Sequence, residues 1–360
     1  MTRATLLACA LALATLAAGC GGEGADVAGP HGSSPAVAQP LIDGNSPANL
    51  TVVATPIPGA TTAVAVNDAG RVAGLNASGI YIFDVPTQTL QNIGFSGTPW
   101  AIDQLGTTVS GQASPTKRNS LGSPAVWTLA GGVWSQDLLP DSGQGGAARA
   151  VASDPITGAA VLLAGNVQTS RHTPGRWSWN GSGWVLTSLP RPGPNGNAFG
   201  QGINAGGMVV GMDGVTCCSA YFWDAAGTLT VLPPLVSGSA SAAYGINDAG
   251  TIIVGNSNGV AVAWIRASTA DPWPTPVPLD TNGCGGGAIA INASGVIVGN
   301  SCGLPAAWRP SGGGGYTRSQ LSDLGNHHPG AETAEAVNNG TVAPLIAVGN
   351  VGQGVYWTGF

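Results

Sequence analysis

Short apolar runs in pairs, each pair joined by a polar turn, recur along the chain. In AYGINDAGTIIVGN (243–256) small and large apolar residues alternate with period two, and the turn carries Asn and Gly. Such alternation marks a strand, and an Asn-Asp-x-Gly link between two strands marks a hairpin. Seven copies are present: AVAVNDAGRVAG (63–74), WAIDQLGTTVSG (100–111), AVASDPITGAAVLLAG (150–165), QGINAGGMVVG (201–211), YGINDAGTIIVG (244–255), IAINASGVIVG (289–299) and EAVNNGTVAPLIAVG (335–349). The turn position holds Asn67, Asn204, Asn247, Asn292 and Asn338 in five copies, and Asp103 and Ser153 in the others. An Asn side chain bonds the backbone of its own turn and Gly250 supplies a positive φ, so the turn reads as scaffold rather than ligand site.

An aromatic strand follows each copy: IYIFD (80–84), AVWT (125–128), GRWSW (175–179), AYFWD (220–224), AVAWIR (261–266), PAAWR (305–309) and VYWTG (355–359). A softer fourth run then ends near Leu-Pro, as in LTVLPPL (229–235). Turn positions are spaced 36 to 51 residues apart, the period of propeller blades built from several strands. Small residues at one inner-strand position (Ala65, Ala101, Val151, Gly202, Gly245, Ala290, Ala336) would let neighbouring sheets approach closely. The seventh unit ends at VYWTGF without a fourth strand, while NLTVVATPIPG (49–59) resembles a fourth strand ahead of the first unit. The expected architecture is therefore all-β, a seven-bladed β-propeller over residues 49–360, closed by an N-terminal strand that completes the last blade.

Composition agrees with many short strands and tight turns: 58 Gly and 26 Pro, yet 43% apolar residues and 11 Trp among 360. A net charge of −6 and a single lysine, Lys117, exclude nucleic acid as a partner, since backbone binding needs a dense basic field. At the N-terminus Arg3 precedes an apolar stretch from Leu6 to Leu16, then small residues and Cys20. That stretch is too short to span a bilayer and reads as an export signal. LAAGC resembles a bacterial lipobox, although Ala17 stands where that pattern prefers Leu. The resemblance implies a signal peptide over 1–19, lipidation of Cys20, a flexible Gly/Ser/Pro-rich tether over 20–48 and a membrane partner through the lipid. The expected location is the outer membrane or cell surface, because Gly21 and not Asp follows the cysteine.

The repeat A-x-x-I-N-x-x-G-x-V-V-G, followed by A-x-x-W and a Leu-Pro step, resembles the bacterial extracellular HAF repeats over about residues 60–357. Units four to six match best. Units two and three depart from the pattern, with Asp103 and Ser153 at the turn and long loops expected after the second strand. The His-Ala-Phe triplet of the family name is replaced, PAAW and VAVAW standing nearest to it. The resemblance implies an exported propeller-like array and brings no catalytic residues.

Strand order puts the Asn turns on one face and the loops between strands two and three, and between blades, on the other. The second face varies among copies and is where function is expected. One inner-strand position near the channel mouth also varies: Val64, Trp100, Ala150, Gln201, Tyr244, Ile289 and Glu335. Rings stack on sugars and amides bond to them, so Trp100, Gln201, Tyr244 and Glu335, with Arg171, His172, His327 and His328, are the candidate ligand-binding residues. The same side chains would also serve simply to plug the channel.

Cys284 and Cys302 lie in loops of one blade and are a candidate disulfide; Cys217 and Cys218 are adjacent and form a candidate vicinal one. His327 and His328 with Glu332 and Glu335 read as a solvated loop, so no metal ligand, cofactor or catalytic residue is assigned. GNSNG (255–259) and GNSCG (299–303) match a serine-nucleophile string, but both occupy the same place between two strands of consecutive repeats. The leading expectation is a binding or scaffold module for a carbohydrate or protein ligand. The rivals are a propeller glycosidase or lyase, with carboxylates drawn from Glu332, Glu335, Asp154, Asp213 and Asp280, and a purely structural envelope protein.

Overall fold

The computed structural model describes residues 52–116, 121–193, 196–214, 219–280, 283, 285–311, 315–324 and 332–360. They form seven four-stranded antiparallel sheets, six of them meanders of consecutive strands and the seventh completed by the N-terminal strand. Blade 1 runs Ala60–Val66, Arg71–Asn76, Gly79–Asp84 and Thr89–Asn92. The first strands of the following blades are Gly97–Ile102, Gly146–Ser153, Phe199–Ile203, Ser241–Ile246, Gly286–Ile291 and Thr333–Val337. Each first strand packs against the first strands of both neighbours, and that of blade 7 packs against that of blade 1. The chain is thus the expected closed ring, with the first strands around its axis. No helix among the described residues is long and apolar enough to cross a membrane.

Closure uses the N-terminal segment. Thr55–Pro56 is the outer strand of blade 7, with Thr55 opposite Tyr356 and Pro56 opposite Val355. Ile57 adds an N–H bond to the Gly354 carbonyl at 3.0 Å and is fully buried. Proline is tolerated here because an outer strand need not donate outward.

The aromatic landmarks join one blade to the next. Trp127, Trp177, Trp223, Trp264, Trp308 and Trp357, on the third strands of blades 2 to 7, are fully buried, and Phe83 takes this place in blade 1. Four indole N–H groups reach back to a carbonyl in the link from the preceding blade: Trp177 to Pro140 at 2.7 Å, and Trp223 to Pro190, Trp264 to Pro233 and Trp357 to Ser322, each at 2.8 Å. In each link the residue before that carbonyl (Leu139, Leu189, Leu232 or Leu321) is buried. Its N–H bonds to the third strand of its own blade, as Leu139 does to Pro124. The Leu-Pro step is therefore a clasp: leucine holds its own sheet, and the next carbonyl takes the neighbour's tryptophan. Burying an indole removes about 150–250 Å² from water, worth roughly 4–6 kcal/mol as an upper figure.

The Asn turn ties neighbouring blades as well as its own hairpin. Asn67 accepts the Arg71 N–H at 2.9 Å, while its amide N–H₂ reaches the Asp103 and Gln104 carbonyls of blade 2, both at 3.1 Å. Asn204 likewise reaches Asn247, and Asn292 reaches Asn338. These asparagines are buried, so the side chain answers both the donor of its own turn and the acceptor next door. At the ring closure Asp68 substitutes, accepting from the Asn339 backbone at 2.7 Å and its side chain at 3.0 Å.

Blade 3 corrects two sequence expectations. Its turn is headed by Asp154, whose N–H bonds to Ala159 and whose carbonyl accepts from Gly158, and not by Ser153. Ser153 instead accepts the Gln104 N–H from the blade 2 turn at 3.0 Å. The residues expected in a long loop after its second strand are paired: Ala160–Gln168 and His172–Trp179 leave only three residues between them. Those added residues lengthen the strands, as cross-strand bonds satisfy backbone groups that a buried loop would leave unpaired.

Candidate functional site

Every first strand carries a β-bulge against the second strand at the same repeat position, and the pairings of blades 1 and 3 hold a second irregularity elsewhere. The pairing skips Val64, Trp100, Arg149, Gln201, Tyr244, Ile289 and Glu335 in blades 1 to 7. A bulged residue is left out of the ladder and its side chain is re-aimed. All seven are half-buried on the strands that surround the axis, each between two small residues: Ala-Val-Ala, Pro-Trp-Ala, Ala-Arg-Ala, Gly-Gln-Gly, Ala-Tyr-Gly, Ala-Ile-Ala and Ala-Glu-Ala.

A glycine of the second strand makes the bulge possible. At Gly74, Gly111, Gly165, Gly211, Gly255, Gly299 and Gly349, a Cβ would overlap the carbonyl oxygen two residues before the bulge. A repeat that keeps this glycine therefore keeps the bulge, whatever side chain the bulge presents.

The structure corrects the expected ring at one member and in its depth. Arg149, not Ala150, is the blade 3 residue; Ala150 pairs with Ala164 in the ladder. Counting back from the turn misplaces it because this first strand is longer: Asp154 heads the turn five positions after Arg149, where Asn67 stands three after Val64. The ring also lies mid-strand rather than at the mouth, Trp100 being fourth in Gly97–Ile102 and Glu335 third in Thr333–Val337.

Arg149 gathers the most developed side-chain cluster on this ring. Its guanidinium carbon stands 4.7 Å from the Trp100 ring centroid and 6.0 Å from that of Phe199, the first residue of the blade 4 inner strand. Nε contacts Asn166 Oδ1 at 3.5 Å, and Asn166 Nδ2 lies 3.3 Å from His172 Nδ1. Since Asn166 accepts from Arg149, its amide N–H₂ faces His172; this assigns Nδ1 as acceptor and puts the imidazole proton on Nε2. Burial, and then the charge of Arg149, hold His172 below its ordinary pKa, which favours that neutral ring. His172 also stacks on Phe199 at 4.5 Å between centroids.

No carboxylate lies within ion-pair distance of Arg149 among the described residues. Burial alone pushes its guanidinium down to about 10. Arg149 Nη1 and Trp100 Nε1 are closed off from water without a hydrogen-bond partner. Glu335 is the other charged member of the ring, its carboxyl pushed up to about 7 by burial and partly relieved by a bond with Asn350.

Of the expected ligand residues, Trp100 and His172 thus meet through Arg149, Asn166 and Phe199, which sequence reasoning passed over. Gln201, Tyr244 and Glu335 occupy the same ring in other blades. Arg171 is exposed in the short loop beside His172. His327 and His328 lie outside the described residues, as do Cys20, Cys217, Cys218, Cys284, the expected signal peptide and the tether. Cys302 sits at φ 55 in a two-residue turn with Gly303. Asp154 belongs to the Asn-turn face, capping the Ile156 and Thr157 N–H groups, and so stands apart from the variable loops. The serines of the GxSxG strings are structural ties: Ser257 Oγ accepts from Leu235 N–H at 2.8 Å, and Ser301 Oγ accepts from Arg318 at 2.8 Å. Off the axis, depressions of about 140 and about 260 Å³ between blades 1 and 2 are smaller than an ordinary small-molecule pocket.

Neither a family model nor a curated protein sequence matches the chain. Among solved structures it is similar to a chain of the mitotic checkpoint complex (TM-score 0.56, 9% identity, 93% of this chain and 99% of that one). It is also similar to a streptogramin B lyase (TM-score 0.54, 12% identity, 86% and 96%). A third is the extracellular domain of a one-component system from B. thetaiotaomicron (TM-score 0.54, 11% identity, 86% and 40%). At such identities the likeness is one of fold, and the class it defines is the seven-bladed β-propeller. Proteins in that class include an enzyme, an extracellular domain and a member of a protein assembly, so the class alone does not select an activity.

Proposed function

We propose that the protein is an exported, lipid-anchored binding module of the bacterial cell surface, a divergent HAF repeat protein whose axial channel receives a carbohydrate ligand. One observation carries this reading: seven bulges built at the same repeat position present seven different residue types, aliphatic, aromatic, amide and charged. The glycines, turns and tryptophans around them repeat because they build blades. The bulge residues stand outside the ladder pairing, and aromatic, amide and charged groups at one level of a ring suit a polar ligand that needs stacking and hydrogen bonds. The lipobox-like LAAGC and the tether-like composition of 20–48 support export and anchoring through Cys20. In an oxidising compartment Cys302 pairs with Cys284, and Cys217 with Cys218. A second reading, a polysaccharide-cleaving propeller, draws on Glu335, whose pKa of about 7 suits a general acid or base.

The test is a screen of the mature protein against a glycan array and cell-wall polymers, with thermal shift as a second readout. Binding should fall at least about tenfold in Trp100→Ala and Tyr244→Ala, from lost stacking. Binding that both variants retain would remove the channel from this role, and no hit on any glycan would remove the carbohydrate. Turnover of a bound polymer that disappears in Glu335→Gln would favour the enzyme.

A further inference from the structure

We infer that the Arg149 cluster is a receptor for a single carboxylate group, so that the carbohydrate taken by the channel is an acidic, uronate-type sugar. This rests on the carbohydrate reading above and specifies its chemistry.

A half-buried guanidinium with one nitrogen closed off from water and no carboxylate beside it is costly, and native structures keep such groups where something else supplies the counter-charge. Around Arg149 the partners are two aromatic rings and one amide oxygen, none of them ionised. What remains unused on Arg149 and Trp100 themselves is donor capacity. Arg149 Nη1 and Trp100 Nε1 have no acceptor, and the Asn166 contact leaves the Nε2–H of neutral His172 as a third donor. Donors without acceptors call for an anion or a carbonyl oxygen, and the positive charge selects the anion.

The charge count narrows the anion further. Arg149 is the one cation among the seven bulge residues, and Glu335 stands on the same ring. The chain as a whole carries −6. A phosphate dianion would place two charges on one positive group, whereas one planar carboxylate matches one guanidinium fork. Trp100 and Phe199 flank that fork as flat walls, and an exposed ring face there suits stacking of a pyranose beside the fork. Rotation of the Arg149 and Trp100 side chains about their own bonds turns the two closed-off N–H groups onto the carboxylate in the channel. No covalent step is involved.

The experiment compares trigalacturonate with a neutral galactose trimer at matched ionic strength, using calorimetry and thermal shift on the full mature chain. Trigalacturonate should bind and raise Tm, and the neutral trimer should bind at least about tenfold more weakly. Arg149→Met should abolish the preference while leaving Tm equal or higher, because an uncompensated enclosed charge has been removed. A merely structural arginine would instead lose Tm. Trp100→Phe, which keeps the ring and deletes the N–H, covers the case of a poorly folding Arg149 variant; it should weaken trigalacturonate about threefold to tenfold at unchanged Tm. Equal binding of both trimers, or full trigalacturonate affinity in Arg149→Met or Trp100→Phe, overturns the carboxylate receptor and leaves carbohydrate binding intact. Binding of neither trimer, with an acidic peptide bound through Arg149, overturns the sugar and with it the functional reading. Binding of none of the three overturns both.

Discussion

A hydrogen-to-methyl change at Gly255 measures how tightly an inner hairpin is drawn. The added Cβ would overlap the Ala242 carbonyl, which belongs to backbone and has no rotamer to escape into. Gly255→Ala should therefore cost about 3 kcal/mol or more, read as a drop in chemical-denaturation midpoint at unchanged slope. The same substitution at Gly259 is a control of another kind: that glycine has open space but φ 75, so only left-handed backbone strain opposes it. Its cost should be nearer 1 kcal/mol. Asn204 shows why one residue type recurs at the turn: it accepts the Met208 N–H at 3.0 Å and donates to Asn247 at 3.1 Å. Aspartate supplies only the acceptor. Where Asp103 stands at this position, the direction of the link reverses, and the carboxylate receives the Ala160 N–H from blade 3 at 3.3 Å.

Between blades, the clasp of tryptophan on a linking carbonyl is separable from hydrophobic burial. Trp177→Phe keeps most of the ring but leaves the Pro140 carbonyl without its donor, at an expected cost of about 2–3 kcal/mol in thermal or denaturant melts. A loss no larger than that of an exposed Trp179→Phe would show that packing alone holds the blades together. The elements were legible in sequence because this packing is periodic. A closed ring forces the same small residues, turn and aromatic into each unit, so alternation and spacing expose it. The site was less legible, since a bulge changes the count of residues without changing composition. Alignment on the turn slipped in blade 3 and passed from Arg149 to Ala150. The small-x-small context, with Ala148 and Ala150 around Arg149 as Ala334 and Ala336 lie around Glu335, would have found it. Phe199 and Asn166 carry no such mark: their roles depend on which blade stands beside which.

Over the whole molecule, Glu335 links stability to pH. Its folded pKa of about 7 lies above the ordinary 4.5. Between those values the folded chain holds a proton that the unfolded chain has released, so stability is full below about 4.5 and falls as pH rises to about 7. The loss is at most about 3 kcal/mol. Glu335→Gln should flatten that part of the curve relative to the parent and give the higher Tm at pH 8; parallel curves for the two proteins would contradict it. Asp103 and Asp213, also raised by burial, slope the same way in both proteins and cancel in the comparison. The bulge has a further consequence, for inheritance. At each bulge one side chain leaves the ladder pairing, so a point mutation there changes what the axis offers while the glycine that sets the hairpin is kept. Seven such positions make the ring a combinatorial surface, on which new preferences arise one codon at a time, and a library randomised there would sample ligands rather than folds.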